Sequence, residues 1–148
     1  PDSKIIFTHR NPYDTVLSCF QQAFEPNNAM SNFRSIDSAA KIYNLTMSVW
    51  IDYKKSLNIK YINSKYEDLI EDFDTHISKI LNFLDVNWNE NIKNYRDTAF
   101  KRIKINTPSS SQVIQPIYKT SIEKWKNYGR YFETSHENLN IWKKYFKY

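Results

Sequence analysis

Lys4-Ile5-Ile6-Phe7-Thr8-His9-Arg10-Asn11-Pro12-Tyr13-Asp14-Thr15-Val16-Leu17-Ser18 reads as a buried strand that delivers an arginine onto the start of a helix. Ile5, Ile6 and Phe7 form a short apolar run. Asn11 is a good N-cap, and Pro12 suits the first helical position, where its missing N–H costs no hydrogen bond. Asp14 places a carboxylate in the first turn, where it favours the helix dipole. Free backbone N–H groups at a helix start, next to an always-charged guanidinium, suit a phosphate. Ser18 lies about two turns further along that helix and adds a hydroxyl. A plain strand-to-helix connection with a surface arginine would use the same residues, so this stretch alone leaves both readings open.

Working outward, the helix is expected over about 12–24, followed by a polar stretch from Glu25 to Asp37 that reads as a flexible loop or lid. Ser38 opens a long helix in which Ile42, Leu45, Val49, Tyr53 and Leu57 recur at spacings of three and four. Ile59-Lys60-Tyr61-Ile62-Asn63 alternates and predicts a second strand, so a parallel βαβ-type unit and an α/β fold with a mostly helical remainder follow. Asp72 or Asp74 caps a helix with Phe73, Ile77, Ile80, Leu81 and Leu84 on one face. Asp85-Val86-Asn87-Trp88 breaks it, and a shorter helix covers 89–97. Residues 100–114 look irregular, and a helix runs from about Thr120 to Tyr131. Thr134-Ser135-His136-Glu137 offers a capping box for a last helix carrying Leu139, Trp142, Tyr145 and Phe146.

A length of 148 residues fits one domain, and 41% hydrophobic residues with 16% aromatic suffice for a core. No apolar stretch is long enough to span a membrane, and no signal-peptide pattern opens the chain. One cysteine, Cys19, rules out an internal disulfide and suits a reducing, cytoplasmic setting. The net charge of +5 is uneven: residues 1–100 carry 11 basic and 13 acidic side chains, residues 101–148 carry 10 and 3. Such asymmetry points to an anionic partner on the C-terminal face, although an AT-rich coding sequence would also enrich lysine. The single glycine, Gly129, excludes a glycine-rich nucleotide loop within these residues. Together with the abrupt start at Pro1-Asp2-Ser3, it suggests one partial domain of a larger protein.

Two further groups carry chemistry. Tyr66 directly follows the second strand, where ligands of open α/β sheets bind; its ring suits either a base or rim packing. Ser109 sits in a hydroxyl-rich loop, followed fifteen residues later by Lys124 near a helix start. Hydroxyls and a lysine aimed at one place suit a phosphate or sulfate group. His9, His76 and His136 are scattered without the spacing of a triad or a metal site, so no metal is expected. His9 adjoins Arg10, and Glu67-Asp68 reads either as a carboxylate pair or as a helix cap.

Taken in order, these groups resemble the landmarks of the PAPS-dependent sulfotransferases, which use 3′-phosphoadenosine 5′-phosphosulfate. Arg10 to Ser18 resembles their 3′-phosphate-binding segment, and Tyr66-Glu67-Asp68-Leu69 their second landmark. Ser111-Gln112-Val113-Ile114-Gln115-Pro116-Ile117-Tyr118, leading to Lys124-Trp125-Lys126-Asn127-Tyr128, resembles their C-terminal landmark. That last stretch is most similar to tyrosylprotein sulfotransferases and to bacterial sulfotransferases joined to tetratricopeptide repeats. The resemblance implies the C-terminal portion of a P-loop-like sulfotransferase domain. It implies that Arg10 and Ser18 hold the 3′-phosphate, Tyr66 contacts adenine or the adjacent ribose, and Ser109 and Lys124 face the transfer centre. Lys124 would stabilise charge on the bridging oxygen. The 5′-phosphosulfate loop is expected before Pro1 and the general base in that part or the stretch after it, so the chain would hold half a donor site and be inactive alone. The implied partners are the donor nucleotide, or adenosine 3′,5′-bisphosphate, and a hydroxyl or amine acceptor on an unnamed peptide, sugar or lipid, with no nucleic acid involved.

An alternative is a non-enzymatic anion- or nucleic-acid-binding module that stacks bases on Trp125, Tyr128 and Tyr131 and contacts phosphates through Lys119, Lys126 and Arg130. A purely structural helical partner domain is a third reading.

Overall fold

Two parallel strands organise the chain, and Arg10 and Tyr66 follow directly on their C-terminal ends. The computed structural model describes residues 3–25, 27–101 and 119–148. Strand β1 (Lys4–His9) runs into helix α1 (Pro12–Gln21). A 3-10 turn (Met30–Arg34) and the long helix α2 (Ile36–Ser56) then lead to strand β2 (Lys60–Lys65). The strands pair in parallel, Lys4 against Lys60 through His9 against Lys65. Helices α3 (Tyr66–Glu71) and α4 (Phe73–Leu84) follow, then a 3-10 turn (Glu90–Asn94) and α5 (Tyr95–Lys101). A 3-10 segment (Lys124–Ser135) and helix α6 (His136–Tyr145) end the described chain. The architecture is α/β and mostly helical, as the strand–helix pattern predicts.

Local signals account for most boundaries. The Asn11 side chain accepts from the Tyr13 N–H at 3.0 Å with Pro12 in the first turn, so the expected cap of α1 is present. Asp72 rather than Asp74 caps α4, accepting from the Thr75 N–H at 3.1 Å. Asp85 ends that helix in the left-handed region, φ 59°, a conformation that aspartate tolerates better than most residues. α2 begins two residues before Ser38, because Ser35 supplies the cap and accepts from the Ser38 N–H at 3.1 Å. The polar stretch 25–37 is partly helical: Asn27 Oδ1 accepts from the N–H groups of Ala29 and Met30 and starts the turn that packs on α2.

The core forms where α1, the first turns of α2, the Lys124–Ser135 segment and α6 meet. Tyr13, Val16, Leu17, Ala39, Ala40, Phe132 and Leu139 are buried there, with Trp125 and Tyr128 packed against them. A second aromatic cluster ties the sheet to α2 and α6. Phe7 stacks on Trp50 with centroids 4.6 Å apart, and His9 stacks on Phe146, also at 4.6 Å.

Four expectations need correction. Ile5 and Ile6 are partly open to solvent, because the packed helices cover Phe7 and His9 but not the start of β1. On α2 the bulky stripe Leu45, Val49, Tyr53 and Leu57 faces outward, while Ile36, Ala39 and Ala40 are buried. The helix expected over 120–131 is instead 3-10 in form, begins at Lys124 and breaks regular geometry at Tyr128, φ −121°. The capping box does not form: Ser135 precedes α6 in helical geometry, and its hydroxyl has no partner among the described residues. The irregular segment 100–114 lies almost entirely outside the described residues.

Candidate functional site

Arg10 follows the end of β1 just before α1, and it lines two cavities. In the first, Arg10, Ser18 and Lys124 line a small cavity of about 80 Å³ together with Asp14, Gln21 and Ser121. Three of the residues singled out in the sequence therefore share one wall-to-wall space. The second is a larger, mainly apolar cavity of about 510 Å³, lined by Arg10, Tyr66, His9, Cys19, Tyr43 and Met47 among others. The first is far smaller than the roughly 300–1,000 Å³ typical of pockets for drug-sized ligands, whereas the second falls within that range.

The guanidinium is oriented from three directions. Its Nη2 donates to the Ser121 carbonyl at 2.7 Å. The Asp14 carboxylate stands 3.8 Å away, with the Asp14 side chain fully buried and that of Arg10 23% exposed. The plane of Arg10 lies over the Tyr66 ring, 5.0 Å from its centroid, which couples the strand-end tyrosine to the arginine. Arg10 Nε is buried and has no hydrogen-bond partner among the described residues. A buried charged donor left open is costly unless a ligand oxygen or a water completes it.

Lys124 reaches the small cavity from the 3-10 segment, and its ammonium donates to Gln21 Oε1 at 2.9 Å. Asp14 accepts from two backbone groups of the same segment, the Glu123 N–H at 2.7 Å and the Trp125 N–H at 2.9 Å. Burial pushes the Asp14 carboxyl above its ordinary range, against those two N–H groups and Arg10, which pull it down. Asp14, Gln21 and Ser121 were not singled out as site residues in the sequence. Asp14 read as a dipole contact, and nothing local marks it as a partner of a segment more than a hundred residues away.

His9 borders the larger cavity but is engaged, its Nδ1 pairing with the Tyr148 hydroxyl at 2.9 Å. Burial lowers its pKa, with Glu67 acting in the opposite sense. His76 pairs with Ser64 Oγ at 2.9 Å, and His136 with the Tyr13 hydroxyl at 2.7 Å, so each histidine has a structural partner. Glu67 caps rather than pairs with Asp68, accepting from the Asn11 N–H at 3.0 Å. Among the described residues no group of His, Cys, Asp and Glu is placed to hold a metal, and no helix is long and apolar enough to cross a membrane. Of the stacking platform the nucleic-acid reading requires, Trp125 stacks on Tyr13 at 4.3 Å and Tyr128 packs on the core, leaving Tyr131 exposed. Ser109 lies outside the described residues.

Comparison with known proteins places this chain in a family. A model of the sulfotransferase family matches residues 1–90, a span that contains Arg10, Ser18 and Tyr66 but not Lys124. An uncharacterised protein of Aquifex aeolicus (strain VF5) is 29% identical over 135 residues, covering 88% of this chain. The chain spans only 17% of that relative's length. With more than half of its residues matched, from β1 through α4, this chain belongs to the sulfotransferase family.

Proposed function

We propose that these residues form the 3′-phosphate side of the donor site of a sulfotransferase that uses 3′-phosphoadenosine 5′-phosphosulfate. The observation that carries the reading is the open, buried Nε donor of Arg10 at the wall of a phosphate-sized cavity shared with Ser18 and Lys124. Arg10 and Ser18 hold the 3′-phosphate by charge-assisted and hydroxyl hydrogen bonds. Tyr66, under the guanidinium, faces the larger cavity and takes the adenine or adjacent ribose. Lys124 is held near Arg10, where its charge neutralises the donor and the oxygen that bridges to the leaving sulfuryl group. Ser109, outside the described residues, is assigned to that centre on the resemblance alone. When bound, the donor supplies the sulfuryl group; the chain's own contribution is to fix the nucleotide and offset its charge, as positioning and electrostatics do in phosphoryl transfer.

The acceptor is a hydroxyl or amine of a peptide, sugar or lipid. With Gly129 as the single glycine, a glycine-containing loop for the 5′-phosphosulfate comes from outside these 148 residues. The region is thus one partial domain that binds donor without transferring by itself. The likeness of the 111–128 stretch supports assigning it to the tyrosylprotein-like and tetratricopeptide-repeat-linked bacterial branch of the family.

Calorimetric titration with adenosine 3′,5′-bisphosphate, beside AMP and the Arg10→Ala variant, tests the reading. The bisphosphate should bind selectively, and Arg10→Ala should weaken it by about ten- to a hundredfold, the range for a charged hydrogen-bond donor. Equal affinity for AMP, or an unchanged constant in the variant, overturns the assignment.

A further inference from the structure

We propose that Asp14 is a positioning residue that fixes Lys124 at the donor cavity by holding the peptide N–H groups on either side of it. The inference rests on the donor-site reading above and adds to it the device that brings two distant basic residues together. Arg10 and Lys124 belong to elements at opposite ends of the chain, and no backbone ladder links α1 to the Lys124–Ser135 segment. Among the contacts that join them, one carboxylate reaches both. Asp14 Oδ2 accepts from the Glu123 N–H at 2.7 Å, and Asp14 Oδ1 accepts from the Trp125 N–H at 2.9 Å. These are the residues immediately before and after Lys124. The same carboxylate stands 3.8 Å from Arg10 Nη2, so a single buried group contacts the first cation and the backbone N–H groups that flank the second.

Two features show that this contact sets the local conformation. Glu123 adopts φ 57° and ψ 17°, a left-handed conformation that costs free energy for any residue with a Cβ. A strained residue persists when surrounding contacts over-determine it, and the Asp14 bond to the Glu123 N–H supplies such a contact. The turn is also closed from both flanks of Lys124: the Arg10 guanidinium bonds the Ser121 carbonyl, and Trp125 stacks on Tyr13, one residue before Asp14. With its backbone fixed in this way, Lys124 extends its ammonium to Gln21 Oε1, one helical turn past Ser18 on the same helix. Asp14 fixes the backbone, Gln21 the side chain, and the lysine is pre-oriented before any ligand arrives, which lowers the ordering cost of binding.

The test uses the whole chain and the isosteric variant Asp14→Asn, which removes the charge and turns one acceptor into a donor facing an N–H. Amide hydrogen exchange should accelerate by about tenfold or more at Glu123 and Trp125, while the buried α1 amides of Val16 and Leu17 keep their protection. Acylation of Lys124 should rise relative to Lys55, at the far end of α2. Adenosine 3′,5′-bisphosphate binding should weaken in Asp14→Asn, and that loss should shrink in a Lys124→Ala background to what the Arg10 contact alone contributes, because the part acting through Lys124 has nothing left to position. Unchanged exchange at 123 and 125, or losses that simply add in the double variant, overturns the proposal. If the wild-type chain binds no bisphosphate, the donor reading fails while exchange and acylation still decide the positioning role. Should Asp14→Asn not fold, through-hydrogen-bond scalar couplings from the Glu123 and Trp125 amides to the Asp14 carboxylate in the wild type decide it; their absence overturns it.

Discussion

Tyr13 shows how much one side chain at the head of α1 is asked to do. Its ring is buried between Trp125 and Phe132, while its hydroxyl donates to Asn140 Oδ1 at 2.8 Å and pairs with His136 Nδ1 at 2.7 Å. It therefore clamps α6 to α1 one residue away from Asp14, which clamps the Lys124 segment. Tyr13→Phe keeps the ring and leaves two polar groups of α6 without their partner. Asn140 is exposed and His136 half-buried, so a loss of about 0.5–1.5 kcal/mol is expected, the net worth of hydrogen bonds whose partners water can reach. A shift of the urea midpoint at constant slope checks it, and an unchanged midpoint would show that water replaces the hydroxyl. The sequence marks Arg10, Ser18 and Tyr66 because each sits at a strand end or on the first turns of a helix, where local rules predict what a side chain faces. It reads Asp14 only as a dipole contact and is silent about Gln21 and Ser121, since the meaning of all three depends on which distant groups arrive opposite them. Long-range hydrogen bonds to peptide groups leave no pattern of residue types.

Helix α2 carries the same lesson at the level of elements. Its periodicity identifies the helix correctly, yet the bulky residues that reveal the period mark the wrong face. Ala39 and Ala40 are buried, whereas Leu45, Val49, Tyr53 and Leu57 are open. The reason is steric: α2 crosses α1 near Val16 and Leu17, and small side chains at the crossing let the two backbones approach. Periodicity weighs size and hydrophobicity, so two alanines count for little beside a leucine stripe. Substitution should reverse that weighting. Ala40→Leu forces added methyl groups into a closed contact and should cost about 1–3 kcal/mol. Leu45→Ser, on the open face, should stay within about 0.5 kcal/mol of wild type. Chemical denaturation of both variants decides it, and a larger loss for Leu45→Ser would mean the stripe is covered. The capping box and the 120–131 helix fail for a related reason. The Lys124–Ser135 segment takes its shape from Asp14 and the aromatic core rather than from its own capping signals.

Across the whole molecule, burial of ionisable groups at the strand ends links the site to pH. His9 stacks between Phe7 and Phe146 at the mouth of the larger cavity, and His76 packs under β2 against Ser64. Burial lowers the pKa of both, the nearby carboxylates Glu67 and Asp68 opposing it only in part for His9 and Asp68 alone for His76. A histidine whose folded pKa lies below its unfolded value of about 6.5 binds its proton more readily in the unfolded chain. Its contribution is therefore present above about pH 6.5 and is lost as pH falls through that value toward the folded pKa. Asp14 works in the opposite sense, because its raised carboxyl pKa favours the folded state as it protonates. The urea midpoint should accordingly be lower at pH 5.5 than at pH 7.5, and the double variant His9→Gln/His76→Gln should flatten the difference. Proton-detected titration should find both imidazoles below the value of a free histidine. Equal midpoints at the two pH values would mean that both rings keep enough water to charge in place. Because His9 borders the cavity that Tyr66 faces, its protonation would also add a cation beside the nucleotide. Donor binding and folding should then respond to the same pH step with opposite signs.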